Sequence, residues 1–325
     1  MQKREEMHMK ITRKRVAIVG CGLVGATTAF SLETQGVCDE IMMIDINKER
    51  AIGEMRDLKD SIEYLGRNVK VTTGTYADCG DMDIIVITAG APPKPGQSRL
   101  DTLEVGAKIC ESIVTPIMES GFNGIFIVIS NPVDILAHYV QKISGLPKNQ
   151  VIGTGTAIDS ARLKNLIGQL VNVDPRSVQG YCMGEHGDSQ MVPWSTVTIA
   201  GKPFYDVIAD NKELVGDVNL DELVEKTARE GWEIYNRKGT TYYGIATACA
   251  GIIKAILNDE NRIIPVSTLL EGEYGETDVY AGVPTILNCT GASDVLEIHM
   301  TPRELARFKE STAVIREHTK KIMDV

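Results

Sequence analysis

The sequence predicts an α/β protein: a Rossmann-type doubly wound parallel sheet followed by an α+β domain. In the first half, short apolar runs take turns with helical stretches. Those runs lack apolar/polar alternation, as expected of parallel strands covered on both faces. After Thr156 the regular rhythm breaks down. The chain has 325 residues, about twice a common domain, which leaves room for both parts. The expected division is residues 1–15 as a mobile tail, 16–153 as the doubly wound domain and 154–325 as the α+β domain.

The tail, MQKREEMHMKITRKR, is charged throughout and holds no apolar stretch of the kind a secretory signal needs. Val16 to Val19 is the first strand, followed by a turn with Gly20, Gly22 and Gly25 and a helix over Ala26 to Glu33. Ile41 to Ile44 makes the second strand and ends in Asp45; a helical stretch runs through Lys59. Val69 to Thr72 and Ile84 to Thr88 are the third and fourth strands. Ala89 to Gln97 is rich in proline and glycine and reads as a loop. A helix to about Ser120 and a fifth strand, Ile125 to Ile129, follow, and Ser130-Asn131-Pro132 breaks that strand. Val151 and Ile152 begin a sixth strand, which would complete the sheet. Beyond it we expect a helix over Asp159 to Leu170, strand-like runs around Tyr181 and Met191 to Ile199, and helices over Asp221 to Arg237 and Gly244 to Asn258. Strands near Ile263 to Leu270 and Thr285 to Cys289 and a last helix from Pro302 end the chain.

Composition removes several classes of function. No apolar run approaches the ~20 residues of a membrane span. Thirty-four basic against forty-four acidic residues give a net charge of −10, the wrong sign for gripping a phosphate backbone, so nucleic acid is not expected as a partner. The seven cysteines are spread out and never form C-x-x-C, which suggests neither a disulfide framework nor a metal site and fits a reducing cytoplasm.

Val16 to Gly25 reads G-x-G-x-x-G between a strand and a helix. Gly20 allows the tight turn, Gly22 lets a pyrophosphate reach the backbone, and Gly25 lets helix and strand pack closely. Asp45, twenty residues beyond Gly25, is placed to accept hydrogen bonds from an adenosine ribose and to repel a 2′-phosphate, which favours NAD over NADP. A turn with coincidental glycines, or a site for FAD or S-adenosylmethionine, are the competing readings.

Of five histidines, His186 stands apart, in Gly184-Glu185-His186-Gly187-Asp188-Ser189, where flanking glycines allow a sharply turned, exposed backbone. A polar surface turn is the plain alternative. Asp159 and Arg162 are three apart on a helix and share a face. They are either an intrahelical ion pair or, set against a histidine, a carboxylate that holds the imidazole and a fork that grips a substrate carboxylate. Arg99 follows the proline-rich loop, where closure would bring a cation to a carbonyl gaining charge. Asn131 stands past the carboxyl end of the fifth strand, where open α/β sheets bind ligands.

VAIVGCGLVG, Asp45, ITAGAPPKPGQSRLD, ISNPVD, GTGTAIDSARL, GEHGDS and KGTTYYG occur in the order and at the spacings of the L-lactate and malate dehydrogenase family. From Val16 to the final helix the chain resembles that family. The resemblance implies NAD, bound by the 16–153 domain with Gly20, Gly22, Gly25, Asp45, Thr88, Ala89, Gly90 and Asn131 as contacts, and a substrate and catalytic role for 154–325. It implies hydride transfer between the nicotinamide and C2 of a 2-oxo or 2-hydroxy acid. His186 would be the general acid/base, Asp159 its partner, Arg162 the carboxylate clamp, Arg99 the carbonyl polariser and Asn131 a hydrogen-bonding partner. It further implies a homo-oligomer, with a tetramer favoured over a dimer.

Within the family, an arginine three before Gly96 would pair the second carboxylate of oxaloacetate, and a glutamine there suits pyruvate; this chain has Pro93. Pro93 removes the main support for malate, with Lys94 as a residual cation, and Thr241 matches the bulkier residue of the lactate branch. The expectation is interconversion of pyruvate and L-lactate. The alternatives are longer apolar 2-oxo acids of the 2-hydroxyisocaproate type, then malate, then a non-catalytic NAD-binding protein. Bacterial members that respond to fructose 1,6-bisphosphate carry an arginine and a histidine where this chain has Lys164 and Gln179, so little response is expected.

Overall fold

The computed structural model of the protein describes residues 13–90 and 102–323. Most of the expected tail, together with Pro93, Lys94 and Arg99, lies outside the described residues. The elements of the first half are β1 (Arg15–Val19), α1 (Leu23–Thr34), β2 (Glu40–Ile44), α2 (Lys48–Ser61), β3 (Lys70–Thr73), β4 (Ile84–Ile87), α3 (Leu103–Glu119), β5 (Ile125–Val128), α4 (Val133–Ser144) and β6 (Val151–Gly153). The second half contains α5 (Ala157–Val171), β7 (Val178–Gln179), β8 (Thr198–Ile199), β9 (Lys202–Pro203), α6 (Phe204–Asp210), α7 (Lys212–Val215), α8 (Leu220–Lys238) and α9 (Tyr243–Leu257). It ends with β10 (Arg262–Glu271), β11 (Thr277–Asn288), β12 (Gly291–Val295) and α10 (Pro302–Met323).

Strands in the order β3-β2-β1-β4-β5-β6 run parallel, the Rossmann order. Their lack of apolar/polar alternation has the expected cause. Val16 and Ile18 of β1 enter one apolar core with Ile84 and Val86 of β4, while Ala17 and Val19 enter another with Ile85 and Ile87. A third cluster, with Leu163, Ile167, Val178, Cys182, Trp194 and Phe204, belongs to the second half alone.

Six strands do not complete the sheet. β10 adds antiparallel to β6, with Ser267 opposite Gly153, and β11 and β12 continue outward. Among the described residues the sheet therefore has nine strands, and the edge that β6 would leave open is covered. β11 is much longer than the expected Thr285 to Cys289, and β12 was not expected. Pro284 hides the first part of β11; in the sheet it faces Pro265 of β10 in register. A facing pair of residues without N–H fits a non-hydrogen-bonded site, where no bond between the two strands is lost.

Three other expectations are corrected. Met191 to Ile199 is not a strand beyond Thr198–Ile199, because Pro193 lacks an N–H and a short 3₁₀ turn follows it. The strand expected around Tyr181 is the brief β7, which ends at Gln179. Residues 13–15 do not belong to a tail: Lys14 N–H donates to Asp39 at 2.8 Å and Arg15 N–H to Asp83 at 2.7 Å, which starts β1 one residue early.

Candidate active site

Gly22, Gly25, Thr88, Gly90, Asn131, Thr154, Arg162, His186 and Thr241 line one cavity of about 490 Å³. It opens where β1, β4, β5 and β6 end, beside the point at which strand order reverses between β1 and β4, the usual ligand crevice of such sheets. Gly20, Ala89, Asp45 and Asp159 are not part of its wall among the described residues.

The glycine turn fits a dinucleotide, each glycine for its own reason. Gly20 has φ +101°, which only glycine adopts freely. A Cβ on Gly25 would stand 1.9 Å from the Gly20 carbonyl oxygen, so helix and turn are as close as backbone allows. A Cβ on Gly22 would meet nothing within 4 Å. The space above Gly22 thus stays open over the start of α1, whose first turn carries no acidic residue and whose N–H groups attract an anion. The Thr88 hydroxyl donates to the Gly20 carbonyl at 2.7 Å and ties β4 to the turn. Asp45 is already engaged: its two carboxylate oxygens accept Cys21 N–H at 2.6 Å and Asn47 N–H at 2.8 Å. It braces the turn as well as ending β2, and the second lone pair of each oxygen is what remains for a ribose.

Across the cavity, Asp159 divides its carboxylate between two partners. One oxygen lies 2.5 Å from His186 Nδ1 and the other accepts from Arg162 Nη1 at 3.0 Å. A carboxylate can only accept, so Nδ1 carries the proton in this contact and Nε2 is the nitrogen left for chemistry in the cavity. The intrahelical pair and the histidine's support occur together, since Asp159 serves both partners at once. All three side chains are nearly buried, at 3% exposure for Asp159, 10% for Arg162 and 11% for His186.

His186 does not sit in a plain surface turn. Gly184, at φ +89°, exchanges two backbone hydrogen bonds with Gly282 of β11. Glu185 folds over Gly187, where a Cβ would come within 2.7 Å of its carboxyl group. Its Oε2 accepts the Ser189 hydroxyl at 2.5 Å, and its N–H donates to the hydroxyl of Ser311 on α10 at 2.8 Å. The two serine hydroxyls are 3.0 Å apart. Ser189 spends its proton on Glu185, so Ser311 donates to Ser189 and the ring closes, with the Ser189 N–H also donating to Glu185 Oε2 at 3.2 Å.

Sequence reasoning passed over two features. Asp134 lies in the quoted ISNPVD motif, three residues beyond Asn131 in the first turn of α4, and accepts His186 N–H at 2.8 Å. Burial pushes its carboxyl up from the ordinary 3.8 to about 6, partly offset by the Ser267 hydroxyl and by His186. Gly231, Trp232 and Tyr235 of α8, with Ile158 of α5, form much of the cavity's apolar wall. Their i, i+1, i+4 spacing on a polar helix was the available signal.

Comparison with known proteins agrees with this geometry. Residues 14–153 match the family described as lactate/malate dehydrogenase, NAD binding domain, and residues 156–325 the lactate/malate dehydrogenase, alpha/beta C-terminal domain. The chain is 53% identical to L-lactate dehydrogenase 3 of Bacillus thuringiensis over 97% of its own length and 99% of that protein. It is 49% identical to L-lactate dehydrogenase 1 of Bifidobacterium longum, covering 95% of this chain and 98% of the relative. Among solved structures it resembles the ligand-bound minor L-lactate dehydrogenase of Enterococcus mundtii, with a TM-score of 0.91 and 43% identity over 95% of this chain and 98% of that one.

Proposed function

The chain belongs to the lactate/malate dehydrogenase family, and we propose that it acts as an NAD-dependent L-lactate dehydrogenase interconverting pyruvate and L-lactate. The observation that carries this is the wiring of His186 and Arg162 to one buried Asp159 in a cavity shared with the glycine turn. The cofactor supplies or accepts the hydride at C2 of the acid. In the reductive direction the His186 imidazolium, its charge balanced by Asp159, gives its Nε2 proton to the substrate oxygen and becomes neutral; in the oxidative direction neutral Nε2 takes that proton back. Arg162 lines the same cavity and meets the substrate carboxylate with its planar fork. Asn131 donates to the substrate oxygen or the cofactor amide, and Arg99, which lies outside the described residues, is the cation proposed for the carbonyl.

Two features bear on the substrate. Trp232, Tyr235, Ile158 and Thr241 offer an apolar wall to the group on C2, and Pro93 gives a second carboxylate no partner. Acids with larger apolar groups therefore form the second reading, because apolar pockets separate substrates by only about 10- to 200-fold per methylene. By its family we also propose a homotetramer acting in the cytoplasm; no helix among the described residues is long and apolar enough to cross a membrane. NADH oxidation across pyruvate, 2-oxobutyrate, 2-oxoisocaproate and oxaloacetate, compared as kcat/KM, tests the assignment. Pyruvate should lead and oxaloacetate should trail; the reverse order would overturn the lactate reading.

A further inference from the structure

Three helices grip the residue that moves the proton. α5 holds the His186 ring through Asp159, α10 holds the preceding amide through Ser311, and α4 reaches the amide of His186 itself through Asp134. The last grip is physically odd. Asp134 is 3% exposed, and its Oδ1 has no well-aligned hydrogen bond; the Ser267 hydroxyl stands beside the carboxyl and is equally without one. A buried carboxylate so poorly satisfied weakens the fold, and a neutral amide of nearly the same shape would accept the same N–H. Stability therefore does not explain the charge.

We propose that Asp134 is a positioning residue for His186, whose negative charge beneath the His186 amide fixes the height of the ring and favours the imidazolium during turnover. The charged and titratable groups around it fit this role. Asp159 and Arg162 approach the histidine from α5, with Arg162 already held by Asp159. Glu185, in the loop itself, opposes the charge of Asp134 but points into its own ring of serines. Ser267 of β10 is the neutral neighbour. A second carboxylate below the loop thus adds to the first at the ring edge, and its bond to the main chain transmits α4 directly to His186.

The inference rests on His186 being the proton donor, so the test includes both residues. Asp134→Asn in the full-length protein keeps an acceptor for the amide and removes the charge. We expect NADH affinity unchanged within about twofold, a single-turnover rate of pyruvate reduction lowered about 10- to 100-fold, and a thermal midpoint near neutral pH at or above that of wild type. A retained rate overturns the proposal; so does a loss of rate matched by equal losses of NADH affinity and thermal midpoint, which marks a scaffold residue. His186→Asn separates the two readings: if it retains turnover, the donor assignment fails, whereas a dead His186→Asn beside a fully active Asp134→Asn sinks only this inference. Should Asp134→Asn not fold, Ser267→Ala decides. It leaves the charge but strips its neighbour, so the carboxyl takes up its proton sooner and the low-pH fall in single-turnover rate moves to higher pH. A profile superposable on wild type overturns the proposal.

Discussion

Asp159 pairs with both His186 and Arg162, so the proposed proton donor and the proposed carboxylate clamp share one carboxylate. Removing the donor alone leaves that anchor and the cofactor turn untouched. His186→Asn should therefore bind NADH as wild type does, measured by fluorescence titration, while turnover falls about 10²–10⁴-fold. A parallel loss of NADH affinity would contradict the assignment. Asp134 yields a prediction about pH and stability. Its folded pKa of about 6 lies above the ordinary 3.8, so the folded protein holds the proton more tightly than the unfolded chain does. The cost of its burial is then fully present above about pH 6, shrinks as pH falls and is gone below the ordinary value. A shift of that size corresponds to about 3 kcal/mol, as an order of magnitude. Asp134→Asn should be the more stable protein above pH 6 in chemical denaturation, with its advantage closing toward pH 4; a constant gap would mean that the carboxyl does not titrate there.

At the scale of elements, the strand–turn–helix unit from β1 to α1 makes the sharpest forecast. Gly25→Ala drives a methyl into the Gly20 carbonyl and must shift backbone, so the protein without cofactor should lose stability and expression. Gly22→Ala meets only open space, at φ −73° and ψ −175°, which any residue adopts. Its melting should change by no more than a weakened helix cap, roughly 1 kcal/mol or less, while NADH affinity falls because the methyl occupies the approach to the amides. Equal effects of the two substitutions would mean that the glycines share one role. This unit was legible because its signal is local: strand, turn and helix are contiguous. The sheet extension was less so: Ile263 to Leu270 reads as a strand, but Pro284 cuts the expected β11 short, and the pairing of β10 to β6 joins residues more than a hundred positions apart. Likewise His186 and Asp159 were legible as residue types, but the ring through Ser311 spans more than a hundred residues and needs α10 folded back onto the loop. Asp134 hid for another reason, since its contact is to a backbone amide, which carries no residue identity.

At the scale of the whole molecule the question is whether assembly carries regulation. A bisphosphate bears close to four negative charges, and a site for it between subunits needs cations from both. The family's arginine and histidine are here Lys164 and Gln179. Lys164 lies over the Tyr181 ring at 5.6 Å, and burial, with Arg262 nearby, lowers its pKa, so it is a poor free charge for an incoming phosphate. Gln179 is exposed on β7 and carries no charge at any pH. Arg176 is one candidate to compensate, but its guanidinium donates two bonds of 2.9 Å to its own neighbour Asp174. Arg262 remains, and it would act alone against a lysine that it repels. The enzyme should therefore be active without fructose 1,6-bisphosphate and nearly indifferent to it. Titrating the bisphosphate at subsaturating pyruvate, with oligomer size followed by light scattering, decides this. An apparent KM that falls more than about tenfold, which by linkage is about 1.4 kcal/mol of coupling, would show that Arg262 and Lys164 together rebuild the site. If the bisphosphate changes the oligomer but not the KM, the anion binds between subunits without reaching α5, the helix that carries Asp159, Arg162 and Lys164 alike.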